Sequence, residues 1–370
     1  MRRGRLQQGG DPSPRGVPTM GRTQRVVALA TTVATSGAML AFTIGSSGSA
    51  AQVDPASRAI EYLQTQQSAS DGSIPVGAST DSVSEEYAIG AAAAGYDPSA
   101  LRHGTGPSVM TYLAAHAASA CASAGGCGLL IQAVVAAGLN PASFGGQNLL
   151  TLLHGLYTSS TGAYGDGEAF TQALAIQGLV ADKQPVPSAA VHLLVKAQDS
   201  DGGWDFLLIK DDPNGATDFD TSDTNSTAMV LMALDAAGTH TRDASALAWL
   251  HTQQDSDGGF PYQAGAGTDP DSTALVIQAL YAAGQNPQSH TWAIGGHTPP
   301  ATLIAAQGSG GGYTFPGSSG PDPFTTAEVP LALERTPYPL NCGAAVCFTA
   351  GTTPSVTTAT SVAVHSRMRS

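Results

Sequence analysis

The sequence predicts an all-α fold, an (α/α)6 toroid of about six two-helix repeats. A glycine-rich turn recurs between helix-like stretches, as QDSDGGW at 198–204, QDSDGGF at 254–260 and a degenerate QGSGGGY at 307–313. Each copy ends one apolar stretch and precedes a second stretch rich in Ala and Leu. Because one helix pair cannot bury its own apolar face, such pairs must stack into an array or a closed ring.

The first helix of each unit is predicted to lie in the outer layer. Its apolar residues recur at helical spacing on one face, as at Ala190, Leu193, Leu194 and Ala197. The predicted outer helices are Ser57–Gln67, Ser108–Ala118, Asn148–Tyr157, Ala189–Gln198, Ala244–Gln254 and Pro300–Gln307.

The second helix of each unit is predicted to lie in the inner layer. Its apolar residues cover nearly all faces, which is typical of helices buried by neighbours on both sides. Glycine follows several of these helices in the position of a left-handed C-cap, as at Gly95 and Gly238. The predicted inner helices are Glu85–Ala94, Leu129–Ala137, Glu168–Val180, Ser226–Ala237, Ser272–Ala283 and Thr325–Leu333, with turns before them that include 70–72, 124–126 and 161–163.

The chain ends are predicted to lie outside a toroid domain of residues 52–348. Arg22 and Arg25 precede an apolar stretch at 26–44 and small residues at 48–51, which indicates a cleaved export signal within residues 1–51. The alternative is an uncleaved anchor, since the apolar stretch approaches spanning length. Residues 349–370 are rich in Thr, Ser, Val and Ala, and we expect a disordered tail.

Charge and cysteine content agree with a secreted protein. The net charge of -13 disfavours nucleic acid as a partner. Cys121 lies near Cys127 and Cys342 lies near Cys347, which predicts two local disulfides. A zinc site is the alternative, but neither pair has the usual two-residue spacer or a nearby His. We therefore expect no metal site.

The recurring turn resembles the Gln-Trp motif of the terpenoid cyclase and protein prenyltransferase superfamily, whose prenyltransferase and squalene oxidase repeats form α/α toroids. The resemblance extends from about Gln52 to Leu340, and a similar toroid occurs in squalene–hopene cyclases and cobalamin carriers. It implies that the Gln amide satisfies N–H groups at a following helix start and stacks on the aromatic ring. The motif residues are Gln198 with Trp204, Gln254 with Phe260, and Gln307 with Tyr313.

The same resemblance draws attention to Asp271. Class II terpene cyclases protonate a polyene with the middle Asp of Asp-x-Asp-Asp-Thr-Ala, and residues 269–274 read DPDSTA. Ser272 replaces one Asp of that pattern, and Asn225 occupies the matching position in the preceding unit. Asp before Ser-Thr-Ala is also what helix capping selects, so we interpret Asp271 as a cap, with the proton donor as the alternative.

Acidic residues recur near the predicted N-termini of inner helices. In a toroid those ends gather at one mouth, which predicts an acidic rim around a ligand-binding cavity, although pairing with helix dipoles explains it equally well. The residues are Glu85, Glu86, Glu168, Asp223, Asp271 and Glu328.

The leading functional hypothesis is a monomeric, exported, non-catalytic toroid that binds a small hydrophobic or amphiphilic ligand. The cobalamin carriers imply a corrinoid, although the β-rich domain with which they clamp it has no counterpart after Leu340. A second hypothesis is a terpene-cyclase-like enzyme using Asp271, against which stands an aromatic content of only 6%. A protein-interaction scaffold and a carbohydrate-active toroid with paired carboxylates are two further hypotheses.

Overall fold

The computed structural model describes residues 54–210, 221–342 and 346–354, and these are mainly helical, which confirms the all-α prediction. The predicted signal peptide and residues 355–370 of the predicted tail lie outside the described residues, whereas residues 349–354 of that tail are described. No helix within the described ranges combines the length and the apolar character needed to cross a membrane. The helices are α1 (Pro55–Gln66), α2 (Thr80–Ala93), α3 (Val109–Ala120), α4 (Ala124–Ala136), α5 (Leu149–Gly155), α6 (Ala169–Ala181), α7 (Ser188–Ala197), α8 (Thr224–Ala236), α9 (Asp243–Gln253), α10 (Pro270–Ala282), α11 (Pro299–Ala306), α12 (Pro323–Ala327) and α13 (Val329–Leu333), with an antiparallel strand pair β1 (Tyr157–Thr158) and β2 (Ala163–Tyr164).

The helices form two concentric layers that close on themselves. The inner helices α2, α4, α6, α8 and α10 contact one another in chain order, and α12 and α13 complete the ring by packing against both α10 and α2. The last unit also bonds to the first: Gln307 Nε2 donates to the carbonyl of Pro55 at 2.8 Å, and Arg58 donates to the carbonyl of Gly308 at 2.8 Å. The predicted (α/α)6 toroid is therefore confirmed.

A glutamine in the recurring turn connects its own unit to the next through hydrogen bonds. Gln198 Nε2 donates to the carbonyl of Gly202 in its own turn at 2.8 Å and to the carbonyl of Arg242 in the next unit at 3.4 Å. Gln254 makes the equivalent pair of bonds at 2.9 and 2.8 Å. The predicted contact with helix N–H groups is wrong, because the amide nitrogen is a donor and the groups that it meets are carbonyls.

Two units make the same pair of hydrogen bonds without the complete Gln-aromatic motif. In the first unit, Gln67 donates to the carbonyls of Gly72 and Leu101 at 2.9 and 3.1 Å, although Ile74 occupies the place of the aromatic residue. In the third unit the donor comes from inner helix α6, where Gln172 reaches the turn and helix α7 at 3.0 and 3.1 Å. The junction keeps its geometry where the sequence pattern is lost.

Glycine at the turn is required by both backbone conformation and space. Gly202 has a φ of 103°, in the left-handed region that side chains disfavour. A Cβ at Gly202 would also lie 2.6 Å from the carbonyl oxygen of Ser245 at the start of the next outer helix. The turn can therefore approach the neighbouring unit closely enough for the glutamine to bridge them.

Glycines also bring α4 and α6 into close contact. A Cβ at Gly128 would lie 2.2 Å from the carbonyl oxygen of Leu174, and a Cβ at Gly178 would lie 2.6 Å from the carbonyl oxygen of Gly128. Helix α4 begins five residues earlier than predicted, and Ser123 caps it by accepting the N–H of Gly126 at 3.1 Å. The predicted turn at 124–126 is wrong, because these residues form the first turn of the helix.

The last inner helix is divided rather than continuous as predicted. Helix α12 ends at Ala327 and α13 begins at Val329, with Glu328 between them. Pro330 has no N–H to donate to the preceding turn, which accounts for the interruption at this place.

Both predicted disulfides are present. The Cys121–Cys127 bond connects the end of α3 to α4, and the Cys342–Cys347 bond closes a short loop after α13. Beyond it, the described segment 346–354 returns to the end of α2, where Thr352 Oγ1 donates to the carbonyl of Gly95 at 2.9 Å.

Gly128→Ala should destabilise the protein by about 1–3 kcal/mol, because the added methyl group overpacks the contact between α4 and α6. Gly155→Ala in α5 is the matched control, since nothing lies within 4 Å of its Cβ position. Denaturant unfolding of both variants measures the difference. Equal stability of the two would contradict the close contact.

Trp204→Ala should cost about 3–5 kcal/mol, the usual range for truncating a fully buried Trp. The side chain is completely buried, and its Nε1 donates to the carbonyl of Leu194 at 2.7 Å. Phe315→Ala, at a side chain that is 47% exposed, is the control and should change stability by less than about 0.5 kcal/mol. Thermal or denaturant unfolding would show a negligible loss for Trp204→Ala if the turn did not anchor the unit.

Candidate functional site

A recurrent hydrogen bond gives the inner helices a common register. The backbone N–H of Trp204 donates to Thr227 Oγ1 at 3.0 Å, and Phe260 donates in the same way to Thr273 at 2.9 Å. Tyr313 with Thr326 and Ile74 with Ser84 repeat the bond. The four hydroxyl residues are therefore equivalent anchors. Positions two before and two after an anchor are four residues apart and lie on one face of the helix.

These two positions line the lumen of the toroid. The position two residues before the anchor is occupied by Asn225, Asp271 and Phe324 in the fourth, fifth and sixth units. The position two residues after it is occupied by Glu86, Met229, Leu275 and Glu328 in the first, fourth, fifth and sixth units. Asn225 and Glu86 retain 8% of their surface, Asp271 7% and Glu328 9%, whereas the anchors between them retain at most 1%. The residual surface indicates a narrow space along the axis that these side chains share.

Four carboxyl groups form what we call the acid cluster: Glu85, Glu86, Asp271 and Glu328. Glu85 and Glu86 do not stand at a helix N-terminus as predicted, because α2 begins at Thr80 and places them one turn deeper. Glu328 likewise lies inside the ring, at the break between α12 and α13.

The other two predicted rim residues serve their own helices. Asp223 caps α8 by accepting the N–H of Ser226 at 2.7 Å, and burial raises the pKa of Asp223 to about 6. Glu168 precedes α6, and its Oε2 accepts the hydroxyl of Thr171 at 3.4 Å. Neither Asp223 nor Glu168 is among the charged groups that act most strongly on Glu86 and Asp271.

Asp271 is not the cap of its helix. Asp269 caps α10, and its Oδ1 accepts the N–H of Asp271 at 3.0 Å. The Asp271 side chain instead reaches the lumen, where its Oδ2 accepts Nδ2 of Asn225 at 3.2 Å. Burial, followed by the charges of Glu328 and Asp269, raises the pKa of Asp271 well above its usual range, which favours the protonated acid.

Glu86 and Glu328 interact in the lumen. A side-chain hydrogen bond between them raises the pKa of Glu86 and lowers that of Glu328. Burial and the charges of Glu328 and Asp271 raise the pKa of Glu86 well above its usual range. Burial also raises the pKa of Glu328 to about 7, although hydrogen bonds from Glu86 and Gln278 act to lower it. The carboxyl oxygens of the neighbouring Glu85 have no hydrogen-bond partner among the described residues. The raised pKa values favour protonated carboxyl groups in the lumen.

Tyr338 closes the lumen at the end where the inner helices stop. Residues 337–342 cross the C-terminal ends of α4, α6 and α8 and form one wall of a cleft of about 360 Å³ beside Val135, Val180 and Ala236. Tyr338 itself is buried, and burial followed by the charges of Glu328 and Glu86 raises its pKa well above the usual range. The repeat pattern does not indicate this residue, since it follows the last predicted helix.

The opposite mouth, at the N-termini of the inner helices, carries exposed apolar side chains. Phe324 near the start of α12 is 41% exposed, and Leu207 is 37% exposed. Phe170 at the start of α6 lies 6.4 Å from Phe206 between ring centroids. Phe206 and Leu207 come from a loop that precedes α8, so the helix pattern alone did not identify them. An apolar molecule therefore meets a compatible surface at this mouth.

The described residues contain no group of three His, Cys, Asp or Glu side chains that could hold a metal ion. The lumen combines a carboxyl group whose raised pKa favours the protonated form, a second carboxyl pair and apolar walls. Such a site can deliver a proton to a molecule that lacks water around it.

The fold is that of type II terpene cyclases. The type II terpene cyclase MstE from Scytonema matches with a TM-score of 0.54 at 15% sequence identity, over 76% of this chain and 96% of the cyclase. A variant of that cyclase with its substrate, geranylgeranyl dihydroxybenzoate, matches with a TM-score of 0.50 at 14% identity over 76% and 96%. A protein from Actinoplanes matches with a TM-score of 0.52 at 16% identity over 76% and 98%. No protein-family model matches the sequence, and no curated protein matches it.

The free energy of unfolding should fall as the pH rises from 5 to 7. Glu328 titrates at about 7 in the folded protein against an ordinary value of 4.5, so the folded state binds more protons in this window and loses stability as they dissociate. Glu328→Gln should reduce the fall by about 2 kcal/mol. Denaturant unfolding at both pH values tests this, with Glu168→Gln as a control that keeps the wild-type fall. An unchanged fall in Glu328→Gln would contradict the buried pair.

Proposed function

We propose that this protein is an acid catalyst that protonates a carbon–carbon double bond of an isoprenoid chain and thereby starts its cyclisation. The observation that carries the proposal is the placement of Asp271. A helix cap would point to the helix end, whereas Asp271 faces the lumen and leaves capping to Asp269. Burial and neighbouring acids favour its protonated form, which a proton donor to an alkene must have.

Several groups in the lumen have a role in this reaction. The Asp271 carboxyl proton moves to the terminal alkene carbon, leaving a carbocation on the chain and a carboxylate on Asp271. The amide of Asn225 stabilises that carboxylate through its hydrogen bond. Successive double bonds then attack the cation and form the rings, and loss of a proton to a base ends the sequence. Met229 and Leu275 supply an apolar wall, and the Glu86–Glu328 pair places negative charge near the cation.

The binding-only toroid accommodates the same ligand class but gives no role to a protonated acid in the lumen. A corrinoid ligand and export of the protein remain predictions, and the leader on which export depends lies outside the described residues. Ligand retention without conversion is the outcome that would favour the binding-only toroid.

Incubation of the purified protein with squalene, geranylgeraniol and geranylgeranyl diphosphate, followed by mass spectrometry, should yield cyclised product from at least one of them. Asp271→Asn should abolish that product, a loss of at least about 100-fold, because Asn cannot donate the proton. Asp223→Asn is the matched control, since Asn caps a helix as well as Asp and should keep activity. Wild-type protein that binds these chains without converting them would overturn the proposal.

A further inference from the structure

We infer that the substrate is an isoprenoid with an uncharged head group, and that the entrance to the lumen excludes phosphorylated chains. The inference rests on the proposed function for the class of chain. The selectivity itself follows from the distribution of charge around the lumen and its open mouth.

The described inner helices bring no positive charge to the lumen. The seven inner helical segments α2, α4, α6, α8, α10, α12 and α13 contain no Lys, Arg or His. Within the described residues, Lys and Arg lie on outer helices, in loops, or beyond the C-terminal ends of α6 and α13. They are Arg58, Arg102, Lys183, Lys196, Lys210, Arg242 and Arg335. Lys210 follows Leu207 in the loop at the mouth, and its Nζ donates to the carbonyl of Gln198 at 2.8 Å. The inner helices themselves therefore offer a diphosphate no cation.

Carboxylates already occupy the N-termini of three inner helices, α8, α10 and α12. Asp223 accepts the N–H of Ser226 at 2.7 Å, and Asp269 and Asp322 cap α10 and α12 at 3.0 and 2.9 Å. A phosphate commonly binds at such ends because their N–H groups are free and the dipole is positive. Here the same groups bind fixed acids, which would repel a second anion.

The interior of the lumen also favours an uncharged head group over a phosphorylated one. The charges that act on Asp271 and Glu86 are those of other carboxyl groups, and the buried polar atoms left without partners there include Oδ1 of Asp271, Oδ1 of Asn225 and both oxygens of Glu85. None of these groups carries a positive charge that would compensate an anion, whereas an uncharged head group needs no such compensation.

The experiment compares geranylgeraniol with geranylgeranyl diphosphate, which share one chain and differ in the head group. Binding to full-length Asp271→Asn is measured by Trp fluorescence, with Mg²⁺ and separately with a chelator. The alcohol should bind at least about tenfold more tightly under both conditions, a difference of about 1.4 kcal/mol. The preference should shrink at high salt, where charge repulsion is screened.

A charge variant tests the cause of the selectivity. Phe324→Lys adds a cation at an exposed position of the mouth and should strengthen diphosphate binding, whereas Phe324→Leu should not. Equal or tighter diphosphate binding by the Asp271→Asn protein, or binding of neither compound, would overturn the inference. The Asp271→Asn protein is used only to measure binding. A preference for the alcohol would therefore support the inference even if the wild-type protein formed no cyclised product.

Discussion

The toroid depends on a buried glutamine amide that donates to two carbonyls, one in its own turn and one in the next unit. Among the described residues, five of the six junctions have it, at Gln67, Gln172, Gln198, Gln254 and Gln307. The junction after the second unit has no such amide in this part of the chain, but the Cys121–Cys127 bond connects α3 to α4 within that unit. Because each donor satisfies carbonyls from both sides of a junction, losing it would leave polar groups of two units unpaired.

The same turn determines where the inner side chains point. The residue after the glycines donates its N–H to a hydroxyl of the following inner helix, as Phe260 does to Thr273. This bond sets the rotation of the helix, so positions two before and two after the hydroxyl face the axis. Asp271 and Glu328 reach the lumen for this reason, from different units and at different depths.

The lumen concentrates groups that a stable core would avoid. Glu85, Glu86, Asp271 and Glu328 are buried, the described inner helices place no cation beside them, and several of their oxygens lack partners. Burial raises the pKa values of these carboxyl groups, and the protonation that this favours removes charge that would be costly in the interior. Perturbed acids of this kind cluster at functional sites more often than in structural cores. The cost in stability and the capacity to hold a proton thus have one origin.

The sequence by itself determined the layers, the recurring turn and both cysteine pairs, because helical periodicity, glycine turns and short disulfide loops are local signals. It did not determine that Gln172 replaces the missing glutamine of the third unit, nor that Tyr338 closes the lumen, since both depend on contacts that only the assembled units create. The sequence also did not decide whether Asp271 is a helix cap or a proton donor. Asp269 and Asp271 both stand at the start of α10 and suit capping equally, and only the rotation of that helix against α8 brings Asp271 to Asn225. The tertiary structure decided the site because its members come from the first, fourth, fifth and sixth units, which only closure of the ring brings together.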